Sequence, residues 1–415
     1  AWHKEVQRGI SNAQSAGEVL SFMGDDFQDV GRILLVSCLL RLGQLARRCP
    51  GGTRGRPAFP KLLREVESLV ARGHLEPRSL SNVMLALAYL RDEHEELRPL
   101  LRLSAGLLAS GLGNANAQDL ANGAWALAKF SERDSSVLAR ISEVCVAKAV
   151  DFRPQELSTL AWSFATLLSR DVALLRALAR EATERHEHFT EQGLANVAWA
   201  FARCAFKDVP FLRALGTAAL ARMSLFKPQE LSNLGWAFAQ CGQADSQVLA
   251  AVERRAAREL KSFKPQEVSA LAWAFSALAA CSPGFFRAIA AEAAGKAASF
   301  TLQELCNVAW AFATAELAEA SLFEVIEWEV LTLLDAFDAR SLPVEQKKAL
   351  VKDVAAAVWA FSFSGLLSSP FLLRAKRVVR QIGRDFDAAA SPGARRHLLA
   401  PLAPPGRRRL SPADE

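Results

Sequence analysis

Trp125, Trp162, Trp199, Trp236, Trp273 and Trp310 stand 37 residues apart, and seven positions before each stands a glutamine: Gln118, Gln155, Gln192, Gln229, Gln266 and Gln303. Phe152, Phe189, Phe226, Phe263 and Phe300 keep the same step, as do Phe164, Phe201, Phe238, Phe275 and Phe312, two residues past the tryptophan. A chain that repeats one phrase at a fixed period folds as a stack of like units, each burying its apolar face against the next. Weaker copies flank the six. "PRSLSNVMLALAYL" puts Leu85 and Leu87 in the Trp and Phe slots, and "VKDVAAAVWAFSF" restores Trp359 and Phe361 after a 12-residue excess in spacing. The earlier "VGRILLVSCLLRLGQL", with Leu40 and Leu42 in those slots, reads as a further divergent copy.

Each unit reads as two helices. Helix A opens with Phe at N′, Pro at N1, Glu at N3 and Leu or Val at N4, as in Phe152, Pro154, Glu156 and Leu157, a start signal that pairs a hydrophobic staple with an acidic first turn. Thr301 and Glu304 complete a capping box in their copy. Helix A ends at breaks such as "SRD" and "CGQADS", and helix B follows in stretches like "VLAAVERRAAREL". Leu and Ala dominate the chain, whereas a single Tyr and few β-branched residues disfavour sheet. The fold class expected is therefore all-α: a two-layer α-solenoid of about 37-residue helix-turn-helix repeats. The period exceeds that of tetratricopeptide repeats, and their signature is absent.

Boundaries follow from the copies: divergent N-terminal helices over 1–74, tandem repeats over 75–342, and a last repeat with its cap over 343–386. The Pro, Gly and Arg content of 387–415 predicts a disordered basic tail. "CPGGTRGRPAFP", residues 49–60, reads as a shorter basic loop of the same character.

Unrolled at about 100° per residue, helix A places the Leu five before the Trp, the residue two before and the Phe two after on one apolar face, with the Trp pointing away from it. Because helix A also touches neighbouring A helices, the Trp is expected to pack between repeats, beside small residues such as Ser158, Ala195 and Ser232. Solvent is left the arc shared by two variable positions. Three before the Trp stand Asn82, Asn122, Thr159, Asn196, Asn233, Ala270, Asn307 and Ala356; four after stand Tyr89, Lys129, Thr166, Arg203, Gln240, Ala277, Thr314 and Phe363. Between them a small residue (Ala126, Ser163, Ala200, Ala237, Ala274 or Ala311) is expected to leave room for a flat ligand. One polar pair per repeat is the arrangement by which helical-repeat proteins read single-stranded RNA base by base. The candidate RNA-contacting residues are accordingly Asn122, Lys129, Thr159, Thr166, Asn196, Arg203, Asn233, Gln240, Asn307 and Thr314. For the asparagines a structural ladder, each amide bonded to its neighbour's, is an equal alternative.

The net charge of +6 is unevenly spread: +3 over 1–110, −4 over 111–342 and +7 over 343–415. RNA affinity must then rest on local patches such as "ERRAAREL", "RAKRVVRQIGR" and Arg407 to Arg409. Seven scattered cysteines include no CxxC pair and read as reduced core residues; no metal site or cofactor is expected. No apolar run nears the roughly 20 residues that cross a bilayer, so no membrane association is expected. Neither a P-loop nor GxGxxG, HExxH or GxSxG occurs, and the histidines lack partners at useful spacing, so neither enzymatic activity nor a small-molecule substrate is expected.

"PQELSNLGWAFA", with "QDLANGAWALAKF", "EQGLANVAWAFARC" and "LQELCNVAWAFATA", resembles the helical repeats of octotricopeptide-type and FAST-kinase-like, RAP-domain-associated organellar proteins. It is also similar to the repeat region of RNA-editing substrate-binding complex proteins. The likeness covers about residues 75–365. It implies a right-handed α-solenoid that binds organellar RNA, in mitochondrion or plastid, during processing, stabilisation, editing or translation. By the same resemblance Asn122, Thr159, Asn196, Asn233, Ala270 and Asn307 would face RNA. The octotricopeptide Pro-Pro-Pro-Glu-Trp signature and a RAP segment after the last repeat are both missing, so cleavage is not implied. The contrasting expectation is a protein-interaction scaffold of the HEAT or armadillo type that touches no RNA, which the acidic repeat body favours.

Overall fold

Among the described residues of the computed structural model, 2–22, 31–336 and 342–389, every regular element is helical. Two helices, α1 (Trp2–Asn12) and α2 (Ala16–Ser21), precede the pairs. The A helices are α3 (Arg32–Ala46), α5 (Pro77–Leu90), α7 (Ala117–Lys129), α9 (Pro154–Thr166), α11 (Glu191–Arg203), α13 (Pro228–Gln240), α15 (Pro265–Ala277), α17 (Leu302–Thr314) and α19 (Val344–Phe363). The B helices are α4 (Ala58–Ala71), α6 (Arg98–Ser110), α8 (Ser135–Ala147), α10 (Val172–Glu184), α12 (Val209–Arg222), α14 (Ser246–Glu259), α16 (Pro283–Lys296), α18 (Ala320–Asp335) and α20 (Ser369–Ala389). The expected solenoid of helix pairs is what the chain forms.

The repeated start signal works through the N3 carboxylate. Glu156, Glu230 and Glu267 each accept the backbone N–H of the N-cap residue, Arg153, Lys227 and Lys264, at 2.7, 2.9 and 2.8 Å. In α7 and α17 the bond is reciprocated: Asn116 and Thr301 also accept from the N3 amide, giving full capping boxes. The C-terminal stop is equally regular. A left-handed residue closes each A helix from α7 to α19: Ser131, Leu168, Ala205, Gly242, Ala279, Glu316 and Gly365, all with φ between 52° and 72°. The following amide bonds back to the carbonyl five residues earlier, as Phe206 does to Phe201 and Gln243 to Phe238, each at 2.9 Å, which is the Schellman arrangement.

The chain divides into two compact units, Ala1–Ala280 and Cys281–Glu415. In the first, α3, α5, α7, α9, α11, α13 and α15 pack each against the next, and α4 through α14 do the same in a second layer. The apolar core lies between the layers, where Phe152, Phe164, Phe189, Phe201, Phe226, Phe238, Phe263 and Phe275 are fully buried. Cations near the B-helix C-termini tie the end of a repeat back to its own start. Arg185 donates to the Phe152 carbonyl and Arg222 to that of Phe189, both at 2.6 Å, while Lys148 reaches Ala115 O at 2.8 Å. In the second unit α17 packs on α19 and α16 on α18 on α20, with Phe312 and Phe361 in its core.

Two expectations need amendment. Residues 49–60 are not a loose loop: Glu93 accepts from Gly51 N at 2.7 Å and from the buried Thr53 hydroxyl at 2.6 Å, which also contacts His94 Nε2 at 2.8 Å. A carboxylate 40 residues downstream thus holds a stretch whose composition alone suggests disorder. The extra residues before Trp359 in part lengthen α19, which begins at Val344; 337–341 lie outside the described residues. So do 390–415, including the Arg407 to Arg409 run, whereas α20 itself extends to Ala389.

Candidate nucleic-acid interface

On each A helix of the first unit the residues at seven and three before the Trp, the Trp itself and the fourth after it fall one turn apart, forming a row along the outer face. Gln118, Gln155, Gln192, Gln229 and Gln266 are exposed. Asn122, Thr159, Asn196 and Asn233 are half-buried, Lys129 and Thr166 likewise, and Arg203 and Gln240 are exposed. The flanking copy on α5 contributes Arg78, Asn82, Leu85 and Tyr89 to the same row. The second unit has its own row: Gln303, Asn307, Trp310 and Thr314 on α17, then Lys352, Ala356, Trp359 and Phe363 on α19.

The tryptophans are where the structure departs most from expectation. Each is only half-buried, and Trp359 is 43% exposed, so the indole is part of the solvent-facing row as well as a contact between repeats. Trp236 and Trp273 lie 6.4 Å apart by ring centroid and Tyr89 meets Trp125 edge-on at 5.2 Å; in the second unit Trp310 and Trp359 are 6.5 Å apart. The small residues after each Trp, such as Ala126, Ser163 and Ala200, are fully buried and line no ligand space. The reason is geometric. The Phe face turns toward helix B and the small residues toward the neighbouring A helices, so what remains outward is the arc holding Trp, Gln and both variable positions. The exposed glutamines were in plain sight as period markers, and their strict repetition at a polar position was the signal that they share a surface.

Hydrogen bonding separates the polar residues. Among the described residues, none of the side-chain amides of Asn122, Asn196, Asn233 and Asn307 bonds to a protein group, so the structure contains no asparagine ladder there and these amides keep their donors and acceptors. Thr159 donates to the Gln155 carbonyl of its own helix at 2.8 Å. The Thr166 and Thr314 hydroxyls are turned inward and lack a partner, so in this rotamer they present methyl groups rather than donors. Lys129 lies over the Trp125 ring at 5.8 Å and Arg203 over Trp199 at 5.7 Å, while Arg47, from the end of α3, covers Tyr89 at 4.8 Å.

No carboxylate occupies any of the four row positions in any copy. The acidic charge of the repeats sits elsewhere: the N3 acids are held by N-cap amides, and Glu143, Glu181, Glu253 and Glu259 belong to B helices. The row is thus neutral to basic within a body that is net acidic. The thiols take no part. Burial pushes Cys38 and Cys145 up to about 12, and burial together with the nearby Asp353 charge raises Cys306 as well. Among the described residues no helix is long and apolar enough to cross a membrane.

The family model for RNA-editing substrate-binding complex 6 protein matches residues 126–353, more than half of the chain. The chain belongs to that family. The match runs from the residue after Trp125 to Asp353 in α19, so the RNA-editing substrate-binding complex 6 region coincides with most of the rows described above. No curated protein matches the chain. Among solved structures, a homology model of the full-length AP-3 complex in an intermediate open conformation matches at 12% identity and a TM-score of 0.33, covering 91% of this chain and 80% of that one.

Proposed function

We propose that the chain binds single-stranded RNA along the A-helix rows, without cleaving it, and acts in organellar RNA processing, stability, editing or translation. The observation that carries this is the row itself: half-exposed indoles alternating with unbonded amides and cations, on a strip free of carboxylate. Indole faces stack on bases of any identity, amides supply base-edge hydrogen bonds, and cations supply the salt-dependent phosphate contribution. Membership in a family described by an RNA-editing substrate-binding complex is consistent with that reading. It is tested by measuring affinity for a random-sequence single-stranded RNA pool across a salt series, then sequencing what is retained. Binding that weakens as salt rises, with enriched sequences, supports it. A stoichiometric protein partner that survives nuclease treatment, with no RNA bound at low salt, would instead support the scaffold.

A further inference from the structure

The residue four after each Trp sorts the repeats of the first unit into two kinds. In the copies on α7 and α11 it is a cation lying over the indole: Lys129 on Trp125 and Arg203 on Trp199. In the copies on α9 and α13 it is Thr166, with its hydroxyl turned inward, and Gln240; among the described residues no cation covers Trp162 or Trp236. The two kinds alternate from α7 to α13; the next copy, on α15, carries Ala277 at this position.

Resting on the RNA-binding reading above, we propose a division of labour in which Trp162 and Trp236 stack bases while Lys129 and Arg203 hold phosphates of the same strand. A cation lying over an indole occupies the face a base would need, while among the described residues neither Lys129 nor Arg203 donates a side-chain hydrogen bond to a protein group. Its contact with the ring also restricts the side chain before any phosphate arrives, so less freedom is lost on binding. An uncovered indole next to an exposed Gln and a half-buried polar residue has the opposite character. It offers a flat apolar face with Gln155 and Thr159, or Gln229 and Asn233, beside it. Adjacent packed helices are about 8–10 Å apart, so like sites recur roughly every 16–20 Å. That is far longer than the step of about 3.4 Å per nucleotide along one strand of a duplex, so the strand would be drawn out, with unread nucleotides between anchored ones.

The division is tested on the full chain with a fluorescently labelled oligouridylate of about twenty nucleotides, titrated over a salt series. Trp162→Ala and Trp236→Ala should each weaken binding about five- to hundredfold with an unchanged salt slope. Lys129→Ala and Arg203→Ala should each reduce that slope by about 0.7 while leaving indole quenching by the RNA in place. Trp125→Ala and Trp199→Ala should cost clearly less than the first pair. Trp162→Phe and Trp236→Phe, which keep a stacking face, should restore most of the affinity and so separate lost stacking from lost folding. Equal losses at all four tryptophans, or slopes that ignore the cations, would overturn the division while RNA binding stands. Absence of binding by the unmodified chain would overturn the division and the RNA-binding reading together.

Discussion

An asparagine that is half-buried and unbonded occupies an odd position for a purely structural residue, because an amide kept for packing normally finds a partner. Asn233 is one such residue and shares its helix row with the exposed Gln240; the next repeat carries Ala270 and Ala277 in their places with the same helix intact. The double variant Asn233→Ala with Gln240→Ala should therefore change stability by no more than about 0.5 kcal/mol in a urea titration, while lowering discrimination among RNA sequences. A loss well above 1 kcal/mol would mean the amide holds the stack after all. The thiols give a second expectation at this scale. Cys49 is exposed, whereas Cys38, Cys145, Cys204, Cys241 and Cys306 are buried, and burial raises each of the latter. Alkylation of the native protein, read by mass spectrometry, should mark Cys49 first and leave those five protected until denaturant is added.

Helix ends show how much of the fold is legible in the sequence. The Pro at N1 and the N3 acid are written in the letters and produce the bonds they predict, because a cap is a local interaction. The left-handed stop is written only at Gly242 and Gly365; Ser131, Leu168, Ala205, Ala279 and Glu316 adopt it without being glycine, imposed by the stack rather than by preference. L-residues there are strained by roughly 1–2 kcal/mol, offset partly by the lower unfolded-state entropy of a non-glycine residue. Ala205→Gly should then stabilise the protein by about 0.5–1 kcal/mol, seen as a higher denaturant midpoint at unchanged slope. Residues 49–60 and the tryptophans were illegible for the opposite reason: their environment is set by Glu93 or by neighbouring A helices, which a single helix unrolled in isolation does not contain. Asp353 illustrates the price of altering one element. It holds the position of the N3 acids, six before the Trp, but α19 begins at Val344, so the carboxyl sits mid-helix without a capping amide and burial raises its pKa. A raised folded-state pKa means the folded protein holds the proton more tightly. Its contribution is therefore fully present below the unfolded value of about 3.9 and lost as pH rises through the folded one. Asp353→Asn should stabilise the second unit at neutral pH, with the gain shrinking toward zero in acid; a pH-independent gain would point to packing instead.

At the scale of the whole molecule, adjacency is the governing property. Within the first unit each A helix packs on the A helices before and after it, each B helix on its B neighbours, and each cation tie spans one repeat. Stability in such a stack is approximately a sum of repeat terms and nearest-neighbour interfaces, so removing one whole period should close up the array rather than destroy a core. Deletion of 189–225 removes α11 and α12 and brings α9 and α10 against α13 and α14. The junction is matched, since His188 would be followed by Phe226, Lys227 and Pro228, an N′ Phe and an N1 Pro like those that open α9. Only the Arg222 tie to Phe189 is lost with the repeat, while the Arg185 tie to Phe152 remains inside the retained part. The shortened protein should keep its helical signal per residue in far-ultraviolet circular dichroism and melt cooperatively at a somewhat lower temperature. Deleting α11 alone, 189–206, leaves a B helix where an A helix must pack and should abolish that cooperative transition. If both deletions unfold the chain equally, the first unit behaves as one indivisible core, and the independence of its repeats, on which the assignment of separate contacts to separate tryptophans depends, fails.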